Sequence, residues 1–200
     1  MLDNLEKYKV ILASGSPRRR ELMAGLGVNY EVRILPDVDE SYPDTLQGEE
    51  IPLYIAKEKA DAYIPMMQPD ELIITADTIV WLEGKVLGKP RDREDALQML
   101  RTMSGRTHEV FTGVCITTTD WQRSFTAQTE VRFATLSEDE IIYYVDNFKP
   151  MDKAGAYGVQ EWIGFIGVEN ISGSYYNIMG LPVQKLYRDC LLYTSPSPRD

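Results

Sequence analysis

One histidine, His108, and two cysteines, Cys115 and Cys190, are all that this 200-residue chain offers of those types. A multi-histidine metal site is excluded, and Ser-His-Asp or Cys-His catalysis has a single imidazole to draw on. His108 lies in a polar stretch and reads as a structural residue in a turn, so acid–base work falls to carboxylates or lysines. The cysteines are far apart in sequence and each sits among apolar residues, which suits a reduced, cytoplasmic protein without disulfides. No apolar run approaches the roughly 20 residues of a membrane-spanning helix, and Met1 to Lys9 lacks the apolar centre of a signal peptide. No membrane partner is expected. Basic runs are missing too, apart from Arg18-Arg19-Arg20, and the net charge is −10. Such a surface repels a nucleic acid duplex, so no nucleic acid partner is expected. It favours instead a small anion drawn into one concentrated cationic pocket.

That pocket has a visible source. The apolar run Val10-Ile11-Leu12 reads as a buried strand, and Leu22, Met23 and Leu26 fall on one face at helical spacing. Between them lies Ala13-Ser14-Gly15-Ser16-Pro17-Arg18-Arg19-Arg20. Ser16 suits the N-cap and Pro17 the first helical position. The segment therefore reads strand, small-residue turn, helix N-terminus. Arginines in a helix's first turn oppose the dipole, and a polyphosphate held by the free N–H groups there would explain them.

The remaining order is mixed. Tyr30 to Leu35 reads as a strand, and Pro36 to Pro43 as an acidic loop. That loop, with Glu40, is either a solvated turn or a source of metal-binding carboxylates. A helix is expected from about 49 to 64, with Lys57 and Lys59 on different faces and one of them directed inward. Leu72 to Ala76 reads as a central strand with Asp77-Thr78 at its end, and Ile79 to Trp81 continuing. Asp92 caps a helix to about Met103. Thr107–Thr119 and Ser124–Phe133 form a strand pair around Asp120-Trp121-Gln122. Ser137 and Glu140 make a capping box for the helix 137–147. Lys149 to Val159 is a glycine-rich loop, Gly164 to Ile171 a strand, and Gly180-Leu181-Pro182 opens a last helix through about Leu192. The pattern is α/β with a mixed sheet, in one domain over residues 1–192. The tail 193–200, with two prolines, is disordered or foreign to the fold.

Ionisable residues cluster at the expected turns. Asp77 follows a hydrophobic strand, a usual place for ligand contacts. Lys89 sits between Gly88 and Pro90, and Asp152 to Gln160 combines Lys153 and Gln160 with small residues that let a backbone approach a ligand. Arg18, Arg19, Lys59, Lys89 and Lys153 together match the charge of a triphosphate. Carboxylates such as Glu40 and Asp77 would approach it only through a divalent ion, Mg²⁺ or Mn²⁺, or to deprotonate a water.

These residues resemble the Maf family of nucleoside triphosphate pyrophosphatases. The likeness rests on Ser14-Gly15-Ser16-Pro17-Arg18-Arg19, Ala76-Asp77-Thr78, Gly88-Lys89-Pro90, Ser104-Gly105-Arg106-Thr107-His108 and Asp152-Lys153-Ala154-Gly155-Ala156-Tyr157-Gly158 followed by Gln160. Gly173-Ser174-Tyr175-Tyr176 and Met179-Gly180-Leu181-Pro182 complete it, over about residues 8 to 190. The resemblance implies a two-lobed, mixed, curved sheet flanked by helices, of the kind shared with inosine triphosphatases, with the active cleft between the lobes. It implies hydrolysis of a nucleoside triphosphate to the monophosphate and pyrophosphate with a divalent cation, and a homodimer. Asp77 is implied as proton acceptor. Arg18, Thr78 and Gln160 are implied in substrate choice, and resemble the dTTP/UTP-cleaving subgroup. Ser14, Arg19, Glu40, Lys59 and Lys89 match other pocket positions. Two further readings stand beside hydrolysis: a nucleotide-binding regulator of septum formation without essential catalysis, and a nucleotidyltransferase.

Overall fold

The computed structural model describes residues 2–191. The tail 193–200 and the end of the last helix at Leu192 lie outside the described residues. The fold is α/β, built on one seven-stranded mixed sheet. Its strands are β1 (Lys9–Leu12), β2 (Glu31–Val32), β3 (Glu71–Leu82), β4 (Lys85–Leu87), β5 (Thr107–Thr117), β6 (Gln122–Phe133) and β7 (Val168–Ser172). They lie in the order β2-β1-β3-β5-β6-β7, with β4 hydrogen-bonded to β3. β1 runs parallel to β2 and β3, whereas β3–β4 and β6–β7 are antiparallel. The helices are α1 (Pro17–Gly25), α2 (Glu50–Tyr63), α3 (Arg93–Met103), α4 (Glu138–Phe148) and α5 (Trp162–Gly167), followed by the short α6 (Tyr175–Ile178) and α7 (Val183–Lys185).

The chain forms two compact units. One comprises Met1–Asp77, Thr112–Ala127 and the segment from Gly180 onward, and the other Thr78–Phe111 with Gln128–Met179.

In the first unit, local chemistry sets α1. The Ser16 hydroxyl accepts from Arg19 N, and Pro17 occupies the first turn, where its missing N–H costs nothing. α2 lies close on the sheet because the residues at the contact are small. Ala56 and Ala60 pack on Cys115 of β5, all three fully buried. At Gly113 the approach is closer still: a Cβ there would sit 2.4 Å from the Pro52 carbonyl carbon and from Leu53 N. Alternation along β3 then aims one face at α2. Ile73 packs on Tyr63, the Thr75 hydroxyl donates to the Ala56 carbonyl at 2.7 Å, and Asp77 reaches Lys59. A buried ion pair that local patterns do not reveal anchors the start of β3. Glu71 is buried, and the Arg33 guanidinium holds its carboxyl below the usual range with a two-pronged hydrogen bond.

In the second unit, Asp92 caps α3 through Asp95 N, and Ser137 with Glu140 forms the expected capping box of α4.

Four expectations need correction. The strand over Tyr30–Leu35 shrinks to Glu31–Val32, both exposed, and its alternating apolar positions Val32 and Ile34 stay 39% and 55% exposed rather than finding a surface to cover. Asp77 does not end a strand: β3 continues without interruption to Leu82, since β4 pairs with its far part. Gly164–Ile171 is not one strand but the helix α5 followed by β7. At Gly164 a Cβ would meet the Val159 carbonyl oxygen at 1.8 Å, so the chain turns tightly there rather than extending. His108 is not in a polar turn but buried in β5, 1% exposed.

Candidate active site

Within the first unit, seven of the residues singled out in the sequence fall on neighbouring elements. The parallel register pairs Lys9 with Glu71 and Leu12 with Ile74, and Ala13 N donates to the Ile74 carbonyl beyond it. Continued by three residues, that register sets Asp77 level with Gly15. β3 thus outruns β1, and Asp77 lies beside the turn that leads into α1, just past the carboxyl end of β1.

The turn is internally braced. The buried Ser14 hydroxyl accepts from Ser16 N at 3.2 Å and from Arg19 Nη1 at 3.4 Å, and Arg19 Nε donates to the Gly180 carbonyl at 2.7 Å. The Gly180 contact gives an otherwise unassigned motif residue a role: it fixes which way the guanidinium points. Burial pulls the Arg19 guanidinium below its ordinary value. The nearby Asp77 carboxylate opposes this most strongly, Arg18 adds to the lowering, and Glu40 raises it again. Arg18, Arg19, Glu40 and Asp77 therefore share one electrostatic neighbourhood.

Lys59 is the centre of that neighbourhood. Its ammonium lies 2.9 Å from Asp77 Oδ1 and 2.8 Å from Glu40 Oε1. Lys59 and Asp77 are mostly buried, at 15% and 14% side-chain exposure, whereas Glu40 is 58% exposed. An exposed ion pair contributes little and a desolvated one much more, so Asp77 is the partner that fixes Lys59. Lys57, on another face of α2, is exposed. Two hard carboxylates converging on one cationic position fit a Mg²⁺-type ion, which takes few protein oxygens and completes its shell from phosphate and water. Among the described residues no cluster of three or more His, Cys, Asp or Glu side chains forms a full protein cage for a metal.

Within the second unit, Thr78 lies in β3, and Lys89, Lys153 and Gln160 lie on the loops around Gly88 and Gly155. Lys89 is exposed, next to Gly88, whose carbonyl accepts from Gly155 N at 3.0 Å. Val80 packs against Gly155, and Thr78 shares the Val80 face by strand alternation. Lys153 is engaged by Asp152 at 2.9 Å and Glu161 at 3.1 Å. Gln160 holds a buried amide oxygen with no hydrogen-bond partner among the described residues. His108 Nε2 meets the Tyr157 hydroxyl at 2.6 Å. Burial pushes His108 down to about 4, which leaves the imidazole neutral, and pushes the Tyr157 phenol up. Single-chain pattern reading misses this pair, since its members lie 49 residues apart.

Comparison with known proteins gives the family. The family model described as Maf-like protein matches residues 9–191, which includes both groups. The chain belongs to the Maf family. Curated relatives of this Maf chain include a dTTP/UTP pyrophosphatase of Bacteroides fragilis strain YCH46, 71% identical over 94% of this chain and 98% of that protein. A dTTP/UTP pyrophosphatase of Bacteroides thetaiotaomicron is 72% identical over 94% and 97%, and one of Porphyromonas gingivalis strain W83 is 54% identical over 94% and 96%. Among solved structures, a Ham1 protein of Staphylococcus aureus aligns with a TM-score of 0.49 and 16% identity over 79% of this chain and 90% of that one. Among the described residues of the Maf fold, no helix is long and apolar enough to cross a membrane.

Proposed function

We propose that this Maf protein is a nucleoside triphosphate pyrophosphatase that cleaves dTTP and UTP to the monophosphate and pyrophosphate. The observation that carries the reading is the Lys59 ammonium held between Asp77 and Glu40 beside Arg19. A surface ion pair needs no such company, whereas a triphosphate and its attacking water need cations and a carboxylate together. Relatives of 54–72% identity that are named for this activity support it.

The Ser14–Ser16 turn, the N-terminus of α1 and Arg18 and Arg19 bind the phosphate chain. Glu40 and Asp77 would hold a divalent cation, Mg²⁺ or Mn²⁺, which offsets phosphate charge when bound. Asp77 accepts the proton of the water that attacks the α-phosphorus. The α–β anhydride P–O bond breaks, and the electron pair leaves with pyrophosphate. Lys59 and Lys89 offset the charge that builds on this leaving group. Lys153, tied to Glu161, supports the loop that ends in Gln160. Thr78 and Gln160 read the base: uracil and thymine present an N3–H donor, which matches the unpartnered amide oxygen of Gln160. Relatives named for the pyrophosphatase activity favour hydrolysis over regulation alone. The same reading places the protein in nucleotide housekeeping in the cytoplasm, as a homodimer.

The test is pyrophosphate release from a panel of nucleoside triphosphates by the full chain with Mg²⁺ and no second substrate. Release from dTTP and UTP above the others is expected. Binding without release, or release only on adding an acceptor, would replace this reading by the regulatory or the transferase one.

A further inference from the structure

The loop from Lys153 to Gln160 bends through two consecutive left-handed residues, Gly155 at φ 69° and Ala156 at φ 58°. Glycine adopts such angles freely and alanine does not. Ala156 is also fully buried, so this geometry persists only if the surroundings hold it.

Three attachments do so, all within the second unit. Gly155 N donates to the Gly88 carbonyl at 3.0 Å, and the residue sits so close to β3 that a Cβ would come within 2.9 Å of Val80. Gly158 N donates to the Tyr144 hydroxyl of α4 at 2.9 Å. The Tyr157 hydroxyl meets His108 Nε2 of β5 at 2.6 Å, and both rings stand edge-on to Phe133. His108 Nδ1 is buried with no hydrogen-bond partner among the described residues. An unpaired buried nitrogen is costly, and an apolar ring in this aromatic cluster would avoid it. The imidazole is therefore committed, through its other nitrogen, to holding one phenol.

Two residues beyond Gly158 the chain reaches Gln160. We propose that His108, through the Tyr157 hydroxyl, and Tyr144, through the Gly158 amide, are positioning residues that hold this loop so that Gln160 presents its amide oxygen to the N3–H of uracil or thymine; this rests on the reading of Gln160 as a base contact. Neither His108 nor Tyr144 touches substrate. Cytosine carries an acceptor at N3, so loosening the loop removes the distinction between dTTP and dCTP before it affects the reacting phosphate.

Tyr157→Phe and Tyr144→Phe each delete one oxygen and keep the ring. In each variant KM for dTTP and UTP rises about fivefold or more while kcat stays within about twofold, since base contacts rather than chemistry are lost. The preference for dTTP over dCTP in kcat/KM falls about fivefold or more. Without nucleotide, amide hydrogen exchange over residues 153–160 becomes about tenfold faster in each variant. Unchanged exchange, or unchanged KM and preference in variants that merely melt at lower temperature, would overturn the proposal. If the wild-type chain releases no pyrophosphate from dTTP or UTP, the functional reading fails, and the exchange rates still decide whether the two side chains hold the loop.

Discussion

Lys59 Nζ lies 2.9 Å from Asp77 Oδ1, joining the fourteen-residue α2 to the middle of β3 at the point where β3 passes the N-terminal turn of α1. The pair is mostly removed from water, so its geometry is kept rather than averaged away. It sets an ammonium and a carboxylate side by side, with Arg19 in the same electrostatic neighbourhood.

Replacing Lys59 with methionine keeps an unbranched side chain only one atom shorter and deletes its charge. Turnover of dTTP is expected to fall about 100-fold to 1,000-fold, the range lost with one preorganised charge at a reacting centre. Steady-state kinetics on a variant whose circular dichroism matches wild type checks this. Turnover within a few-fold of wild type would show that the ammonium only ties α2 to the sheet.

Gly113 tests the route from packing to site. A methyl group there has no room against Pro52 and Leu53, and backbone atoms cannot swing away as a flexible side chain would. Gly113→Ala is expected to cost about 1–3 kcal/mol through overpacking. It should also lower dTTP turnover well below the melting temperature, because α2, displaced, carries Lys59 with it. A melting curve and an assay on the same sample measure both. An unaltered melting temperature would mean that the helix yields freely.

His108 makes stability depend on pH. The unfolded chain binds a proton there near 6.5 and the folded chain only near 4. Between those values the unfolded state holds more protons, so this contribution is complete above about pH 6.5 and is lost as pH falls toward 4. The loss amounts to about 3 kcal/mol. Urea midpoints at pH 7 and pH 4.5 should differ more for wild type than for His108→Gln, which cannot take the proton. Equal differences would place the acid sensitivity elsewhere.

Sequence reading succeeded where structure is decided within a few residues. Ser16 and Pro17 start α1, Asp92 starts α3, and Ser137 with Glu140 starts α4, each through side chains that bond to backbone donors one turn away. It failed where the deciding partner is distant. The apolar stretch after Gly164 has no period that separates helix from strand, and the close contact with Val159 settles it as α5. Asp77 looked terminal because a charge interrupts an apolar run, yet pairing of β4 with the far part of β3 carries the strand onward. His108 sits among polar neighbours in sequence, but Phe133 and Tyr157 enclose it in space. Of the proposed site residues, charge and turn chemistry point to Arg18, Arg19, Lys59 and Asp77. The Gly180 carbonyl that orients Arg19 and the buried pair of Arg33 with Glu71 depend on contacts 161 and 38 residues apart.

The most direct measurement compares Asp77→Asn with wild type for pyrophosphate release from dTTP and for dTTP affinity. With Asp77 as proton acceptor, turnover drops about 100-fold or more, as expected when a positioned base is lost, while Kd stays within about tenfold. A variant that releases pyrophosphate at the wild-type rate would contradict the account.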